Sequence, residues 1–216
     1  MTSVRRLVVT AIACLSMLML PVPASSAYPG QEVWGPHATP YGLSYDRWFA
    51  RWSVWVQEIP VRRNPLFFPG SPRNCEVHGR VVLMGPSGTG DGGCAIPQGK
   101  AVGLTPDAAE CSTAEGNGNT YRKLRQCAAR LWRQNGTGYP VRLRIDGKRV
   151  RQARAWTFTS MGRVVDLPKH NIWSAPPGPT KSVTRGLFYM VKPLGVGRHV
   201  IRFAGDRYRF RVEAPQ

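Results

Sequence analysis

Arginine alternates with apolar residues in two segments of the chain, and this pattern indicates a binding chemistry. The segments read VRLRI from position 141 and RYRFRV from position 207. Successive side chains of a β-strand point to opposite faces, so each segment places its arginines on one face and its apolar residues on the other. Guanidinium groups bind carboxylate and phosphate groups bidentately. If the two strands share a sheet, they form a basic face that attracts anions.

We therefore predict a site for an anionic ligand, with Lys148 and Arg154 extending it, formed by Arg142, Arg144, Arg149, Arg151, Arg207, Arg209 and Arg211. The formal net charge of +18 favours the same class of partner. Two interpretations stay open at this point, a binding face and the solvated outer face of a sheet. Nucleic acid is the less favoured anion, because no nucleic-acid-binding motif accompanies the basic residues.

The motifs of nucleotide binding and of serine hydrolysis are incomplete. Residues 85–90 have the glycine spacing of a phosphate-binding loop, but Asp91 and Gly92 stand where Lys and Ser or Thr are required. Ser87 is followed two positions later by Thr89, not by the glycine of the G-x-S-x-G motif. These departures predict no catalytic residue, and no cofactor is predicted.

A secreted hydrolase is the competing prediction. It requires two or three titratable residues, far apart in sequence, to meet in one pocket. The candidates are His78, His170, His199, Asp91, Asp166 and Glu110. The histidines have no metal-binding spacing, so no metal site is predicted.

Residues 1–27 have the order of a secretory signal peptide. Arg5 and Arg6 precede an apolar run from Leu7 to Leu20, and small residues follow up to Ala27. The run has 14 residues, against roughly 20 for a membrane-spanning helix, which disfavours an anchor. Lipidation at Cys14 is disfavoured because the apolar run continues past it. We expect residues 28–216 to form a single secreted β-rich domain without a transmembrane segment, retaining 28 basic and 12 acidic residues and a charge of +16.

Four cysteines remain after cleavage, an even number that suits an oxidising compartment. Among the three ways of pairing them, we favour Cys75 with Cys94 and Cys111 with Cys127. Each of these pairs closes a loop of fewer than twenty residues. A zinc site is the alternative, but the C-x-x-C spacing is lacking.

The remaining pattern predicts a few helices followed by many short strands. Ser44 begins a helix that ends before Pro60 and aligns Trp48, Trp52 and Trp55, Thr105 begins a second, and Thr120 begins a third that ends near Arg133. Strands are predicted at 80–84, 101–104, 141–145, 155–160, 186–192, 198–204 and 207–213, with turns at 146–147 and 205–206 and a loop at 174–181. The fold class is mainly β, sandwich or jelly-roll-like, with two or three helices in the N-terminal half.

Three segments together resemble a family of exported bacterial proteins. They are a tryptophan-rich helix running to Pro60, a Cys94-Ala-Ile-Pro-Gln-Gly-Lys segment, and a Pro193-Leu-x-x-Gly-x-His-x-Ile strand. The match spans about residues 41–204, although Val102-Gly103-Leu104 replaces the aromatic-rich run usual after the Gly-Lys-Ala. The resemblance implies export, one domain and a recurring scaffold, and it implies no activity or ligand.

These observations predict a secreted, non-catalytic protein that binds an anionic wall polymer, polysaccharide or lipid surface at the cell envelope or outside the cell. The alternatives are a secreted hydrolase acting on cell wall or polysaccharide and a structural or assembly protein of the envelope. Ligand identity and oligomeric state do not follow from the sequence.

Overall fold

The computed structural model describes residues 32–68, 74–85, 94–135, 142–151, 153–203 and 206–215. The predicted signal peptide, the glycine-rich residues 86–93 with Asp91, and Gly205 lie outside these ranges. Within them the chain forms two α-helices and eleven β-strands arranged in two sheets. The predicted mainly β class is therefore confirmed.

The helices are α1 (Tyr45–Gln57) and α2 (Tyr121–Asn135). In chain order the strands are β1 (Cys75–His78), β2 (Val81–Met84), β3 (Ala95–Pro97), β4 (Ala101–Ser112), β5 (Leu143–Ile145), β6 (Lys148–Arg149), β7 (Thr157–Thr159), β8 (Arg163–Leu167), β9 (Gly178–Val191), β10 (Gly197–Phe203) and β11 (Asp206–Glu213). One sheet has six strands in the order β1-β2-β4-β9-β7, with β8 also paired to β9. The other has five, in the order β3-β11-β10-β5-β6.

Helix α1 packs its aromatic stripe into the core that the two sheets share. Trp48, Phe49, Trp52 and Trp55 are all buried, and the ring of Phe49 stacks on that of Phe188 in β9 at 5.4 Å. The buried residues of α1 and of both sheets form one continuous apolar cluster. The predicted core role of the tryptophan stripe is therefore confirmed.

The two helices cover opposite faces of the six-stranded sheet. Ser182 and Thr184 of β9 hydrogen-bond to side chains of α1, whereas Val183 between them packs with Leu124 and Ala128 of α2. Because side chains alternate along a strand, these contacts place the helices on opposite sides. The predicted disulfides are both present, and Cys111–Cys127 ties α2 to β4, while Cys75–Cys94 links β1 to the residue before β3.

The helix predicted to begin at Thr105 is wrong, because β4 continues through Pro106 to Ser112. The pairing of β4 with β9 shifts register between Leu104 and Asp107, so the strand carries a bulge there. A bulge tolerates proline, which lacks the N–H of a regular ladder. The Thr-Pro-Asp sequence therefore marks an irregularity within a strand.

The predicted loop at 174–181 is wrong in its second half. Strand β9 begins at Gly178 and pairs there with β8, which was not predicted. The segment predicted as a strand at 155–160 begins with a 3-10 helix, Ala153–Trp156, and becomes strand only at Thr157. No helix among the described residues is long and apolar enough to cross a membrane.

Replacing Phe49 with alanine tests the assignment of α1 to the core. Phe49 is fully buried against Phe188, so Phe49→Ala should lower the free energy of unfolding by about 3–5 kcal/mol in chemical denaturation. Phe67 is 54 % exposed, and Phe67→Ala should change it by less than about 0.5 kcal/mol. Equal effects of the two substitutions would contradict this assignment.

Candidate anion-binding face

The outward side of the five-stranded sheet carries seven exposed arginines. We call this set the arginine face, and its members are Arg144, Arg149, Arg198, Arg202, Arg207, Arg209 and Arg211. The residues that alternate with them, such as Leu143, Ile201 and Tyr208, are buried in the core. Burial of one side of each strand therefore forces the arginines to the other.

The strand register aligns these arginines directly across from one another. Arg202 of β10 lies opposite Arg207 of β11 on one side and Arg144 of β5 on the other, and Arg144 lies opposite Arg149 of β6. Arg198 lies opposite Arg211 in a second row. Since strands are about 4.8 Å apart and every second residue is about 7 Å further along, the charges form a regular grid.

This arrangement costs stability. Like charges directly opposite one another in a sheet are destabilising. Among the residues that the structure describes, no carboxylate forms an ion pair with Arg149, Arg198, Arg202, Arg207 or Arg211. The Arg144 guanidinium donates a hydrogen bond to the carbonyl of Gly147 at 2.9 Å, which is a neutral acceptor.

Two of the other predicted basic residues, Arg142 and Arg151, lie at the margin of this face. Arg142 is exposed and precedes β5, and Arg151 is exposed in the turn after β6. Lys148 forms an ion pair with Glu32, in which its Nζ lies 2.7 Å from Glu32 Oε1. That hydrogen bond and the attraction of the Glu32 carboxylate raise the pKa of Lys148. Arg154 is exposed in the 3-10 helix before β7, which is a strand of the six-stranded sheet.

Sequence analysis missed two members of the arginine face, Arg198 and Arg202. Both belong to β10, which pairs with β11 along its whole length. The signal was present, because these arginines alternate with His199, Ile201 and Phe203 in a predicted strand. The alternation of arginine with apolar residues is interrupted by Val200, which occupies the outward position between Arg198 and Arg202.

A pairing of His199 with Asp146 holds the turn at the end of the face. His199 Nδ1 lies 2.7 Å from Asp146 Oδ2, and its Nε2 lies 2.7 Å from the carbonyl oxygen of Gly195. The other oxygen of Asp146 accepts a hydrogen bond from the backbone N–H of Val200 at 2.8 Å. These bonds fix the predicted Asp146-Gly147 turn, in which both residues have positive φ, against β10.

Among the described residues, no hydrogen bond or ion pair joins two of the residues predicted for a hydrolase. His78 lies 3.0 Å from Glu76, His199 pairs with Asp146, and neither carboxylate belonged to the predicted set. Within the described part of the chain, the exposed His170 side chain makes no hydrogen bond or ion pair. No group of three or more His, Cys, Asp or Glu side chains in these ranges is placed to hold a metal ion.

Among the described hydrolase candidates, Glu110 is the one whose pKa is clearly shifted. It lies on β4, where Ser182 Oγ donates to its Oε1 at 2.5 Å. Burial first, and then the neighbouring carboxylate of Glu115, raise the pKa of Glu110 well above its ordinary value. Because no histidine lies beside it in the described residues, this shift does not complete an acid–base pair.

Comparison with protein-family models, with curated proteins and with solved structures finds no match to this chain.

Arg202→Glu tests whether the opposed arginines repel one another. The new carboxylate would lie between Arg144 and Arg207, so the free energy of unfolding should rise by about 0.5–1 kcal/mol at low salt. The gain should shrink as added salt shortens the Debye length below about 10 Å. Arg62→Glu makes the same charge change at an exposed residue outside the sheet, and it should give the smaller gain. Equal gains would mean that net charge, not register, sets the effect.

Glu110→Gln tests the buried carboxyl through pH. Between the unfolded pKa near 4.3 and the raised folded pKa, the folded protein holds a proton that the unfolded chain has lost. The wild type should therefore lose stability as pH rises through this window, by at most about 1.4 kcal/mol per pH unit, and the Gln variant should not. Denaturation at several pH values measures the difference, and the exposed Glu213→Gln is the control. Parallel pH profiles of wild type and Glu110→Gln would contradict the raised pKa.

Proposed function

We propose that this protein is a secreted, non-catalytic binding protein whose arginine face holds an anionic polymer of the cell envelope or extracellular space. The observation that carries the proposal is the alignment of arginines directly across four neighbouring strands with no carboxylate ion-paired to five of them in the described residues. Such an arrangement lowers the stability of the free protein, and a bound polyanion would relieve it.

The geometry supports a polymer over a single small anion. The charges are spread over β11, β10, β5 and β6, so a row of four arginines is about 14 Å long. No concave pocket has to form for such contacts, because each guanidinium projects from a sheet surface. An extended chain with repeated phosphate, sulfate or carboxylate groups would meet several arginines at once, which raises avidity without a deep site.

Two features of the sequence support secretion. Residues 1–27 have the pattern of a cleavable signal peptide, and the resemblance to exported bacterial proteins points the same way. The disulfides Cys75–Cys94 and Cys111–Cys127 suit an oxidising compartment outside the cytoplasm. In that setting the accessible polyanions are wall polymers, acidic polysaccharides and lipid surfaces.

The test compares two variants with equal net charge. One carries Arg198→Gln, Arg202→Gln, Arg207→Gln and Arg211→Gln on the arginine face, and the other carries four substitutions elsewhere, Arg62→Gln, Arg122→Gln, Arg125→Gln and Arg130→Gln. Binding of residues 28–216 to immobilised heparin, to purified teichoic acid and to phosphatidylglycerol vesicles is measured across a salt series. The face variant should lose at least tenfold in affinity, and its slope of log K against log salt should fall by up to about 4.

The matched variant should retain most of the affinity, since it leaves the arginine face intact. Thermal melting of both variants verifies that each is folded. Equal losses in the two would show that net charge alone drives binding, and retention of affinity by the face variant would refute the proposed site. Binding to only one of the three probes would identify whether the polymer is a sulfated glycan, a phosphate polymer or a lipid surface.

A further inference from the structure

A cavity of about 210 Å³ lies between α1 and the strands β4 and β9. It belongs to the six-stranded sheet, whereas the arginine face belongs to the five-stranded one. Its lining is mixed, with apolar side chains from α1 and the following loops and with hydroxyl, amide and carboxyl groups from α1, β4 and β9.

The bulge in β4 opens this cavity. Between Leu104 and Asp107 the strand advances three residues while β9 advances two, from Tyr189 to Leu187. Bulges redirect side chains out of the regular pleat, and they are frequent beside binding sites. Thr105, Pro106 and Asp107 all line the cavity as a result.

Thr105 places an unused hydroxyl in the cavity wall. The residue is 1 % exposed, and its Oγ1 has no hydrogen-bond partner among the described residues. A buried hydroxyl without a partner costs stability, so proteins rarely keep one without a reason. A ligand that hydrogen-bonds to Thr105 would supply the missing partner.

A buried hydrogen-bond network forms the polar part of the lining. Gln57 Nε2 donates to Ser53 Oγ at 2.7 Å and to Ser182 Oγ at 3.1 Å, and Ser182 in turn donates to Glu110. Ser53 Oγ also lies 2.5 Å from the hydroxyl of Thr184. These bonds hold the side chains of α1, β4 and β9 in fixed positions, so the polar wall is preorganised.

The apolar part of the lining includes two indoles. Trp52 and Trp173 line the cavity together with Val56 and Leu66. Both indoles are held by hydrogen bonds, Trp52 Nε1 to the carbonyl of Met84 at 2.8 Å and Trp173 Nε1 to Gln57 Oε1 at 3.4 Å. Indole rings pack well against the C–H groups of a saturated ring, while the polar wall can serve its substituents.

We propose that this cavity binds a neutral, polyhydroxylated six-membered ring, in chemical terms a single sugar unit. An apolar cavity of about 150 Å³ accommodates benzene, so about 210 Å³ suits one ring with its substituents. No Lys or Arg is among the described residues that line it, which argues against an anion. The Thr105 hydroxyl and the Glu110 carboxyl would hydrogen-bond to ring hydroxyls while the indoles pack against the ring.

Saturation-transfer NMR tests the proposal on residues 28–216. The probes are D-glucose, D-galactose, D-mannose and N-acetyl-D-glucosamine at millimolar concentration, with benzylamine as a cationic comparison. At least one sugar should receive saturation, and its affinity should fall about three- to tenfold in Thr105→Val, because one hydrogen bond is lost. Trp173→Ala should abolish binding.

The variants separate a binding role from a structural one. Thr105→Val should keep the melting temperature of the wild type, since the hydroxyl it removes has no partner in the described residues. Thr157→Val is the matched control: it removes a hydroxyl that bonds the carbonyl of Arg154 at 2.9 Å, so it should lower stability and leave sugar binding intact. Sugar binding that is unchanged in Thr105→Val and Trp173→Ala, no saturation of any sugar, or saturation of benzylamine alone would overturn the proposal.

Sugar binding in this cavity should not depend on the arginine face. The variant with four face arginines replaced by glutamine should bind the sugar with wild-type affinity. If that variant loses both activities together, the two sites are not separate, and the assignment of the sugar to this cavity is wrong.

Discussion

The alternation of side chains along a β-strand links the core of this protein to its surface. In β11 the buried Tyr208, Phe210 and Val212 fix which side of the strand faces the core, and the residues between them must then face outward. A slip of one residue would bury arginines and expose aromatic rings. The hydrophobic core therefore holds the arginine grid in register although like charges within it repel. The stability lost at the surface is offset by apolar burial beneath it.

The six-stranded sheet differs from the five-stranded one, because helices cover both of its faces and polar groups are buried between α1 and the sheet. Gln57 donates hydrogen bonds to Ser53 and Ser182. Because these buried polar groups are hydrogen-bonded, the stability that would be lost by burying them unpaired is retained. The bulge at Pro106 interrupts the regular ladder beside these groups. One sheet thus presents charge to solvent, and the other encloses a small cavity with a mixed lining.

Local patterns in the sequence predicted those parts of the fold that depend on neighbouring residues. Tryptophans at helical spacing predicted α1, and arginines alternating with apolar residues predicted β11, because each pattern reports one buried side. The helix predicted from Thr105-Pro106-Asp107 was wrong, because this segment pairs with β9, which lies far along the chain. The same limit explains why Arg198 and Arg202 were missed: they join the face only through the register of β10 with β11 and β5. The cavity combines residues from α1, β4 and β9 and could not be predicted from spacing.

The most direct measurement of the central claim is NMR of the arginine side chains during titration with a polyanion such as heparin. Each Nε–Hε resonance reports on one guanidinium, and bidentate contact with an anionic group shifts it. The account predicts that the resonances of the arginine face move together, while those of Arg122, Arg125 and Arg130 on α2 stay in place. Shifts spread evenly over both sets, or confined to α2, would contradict it.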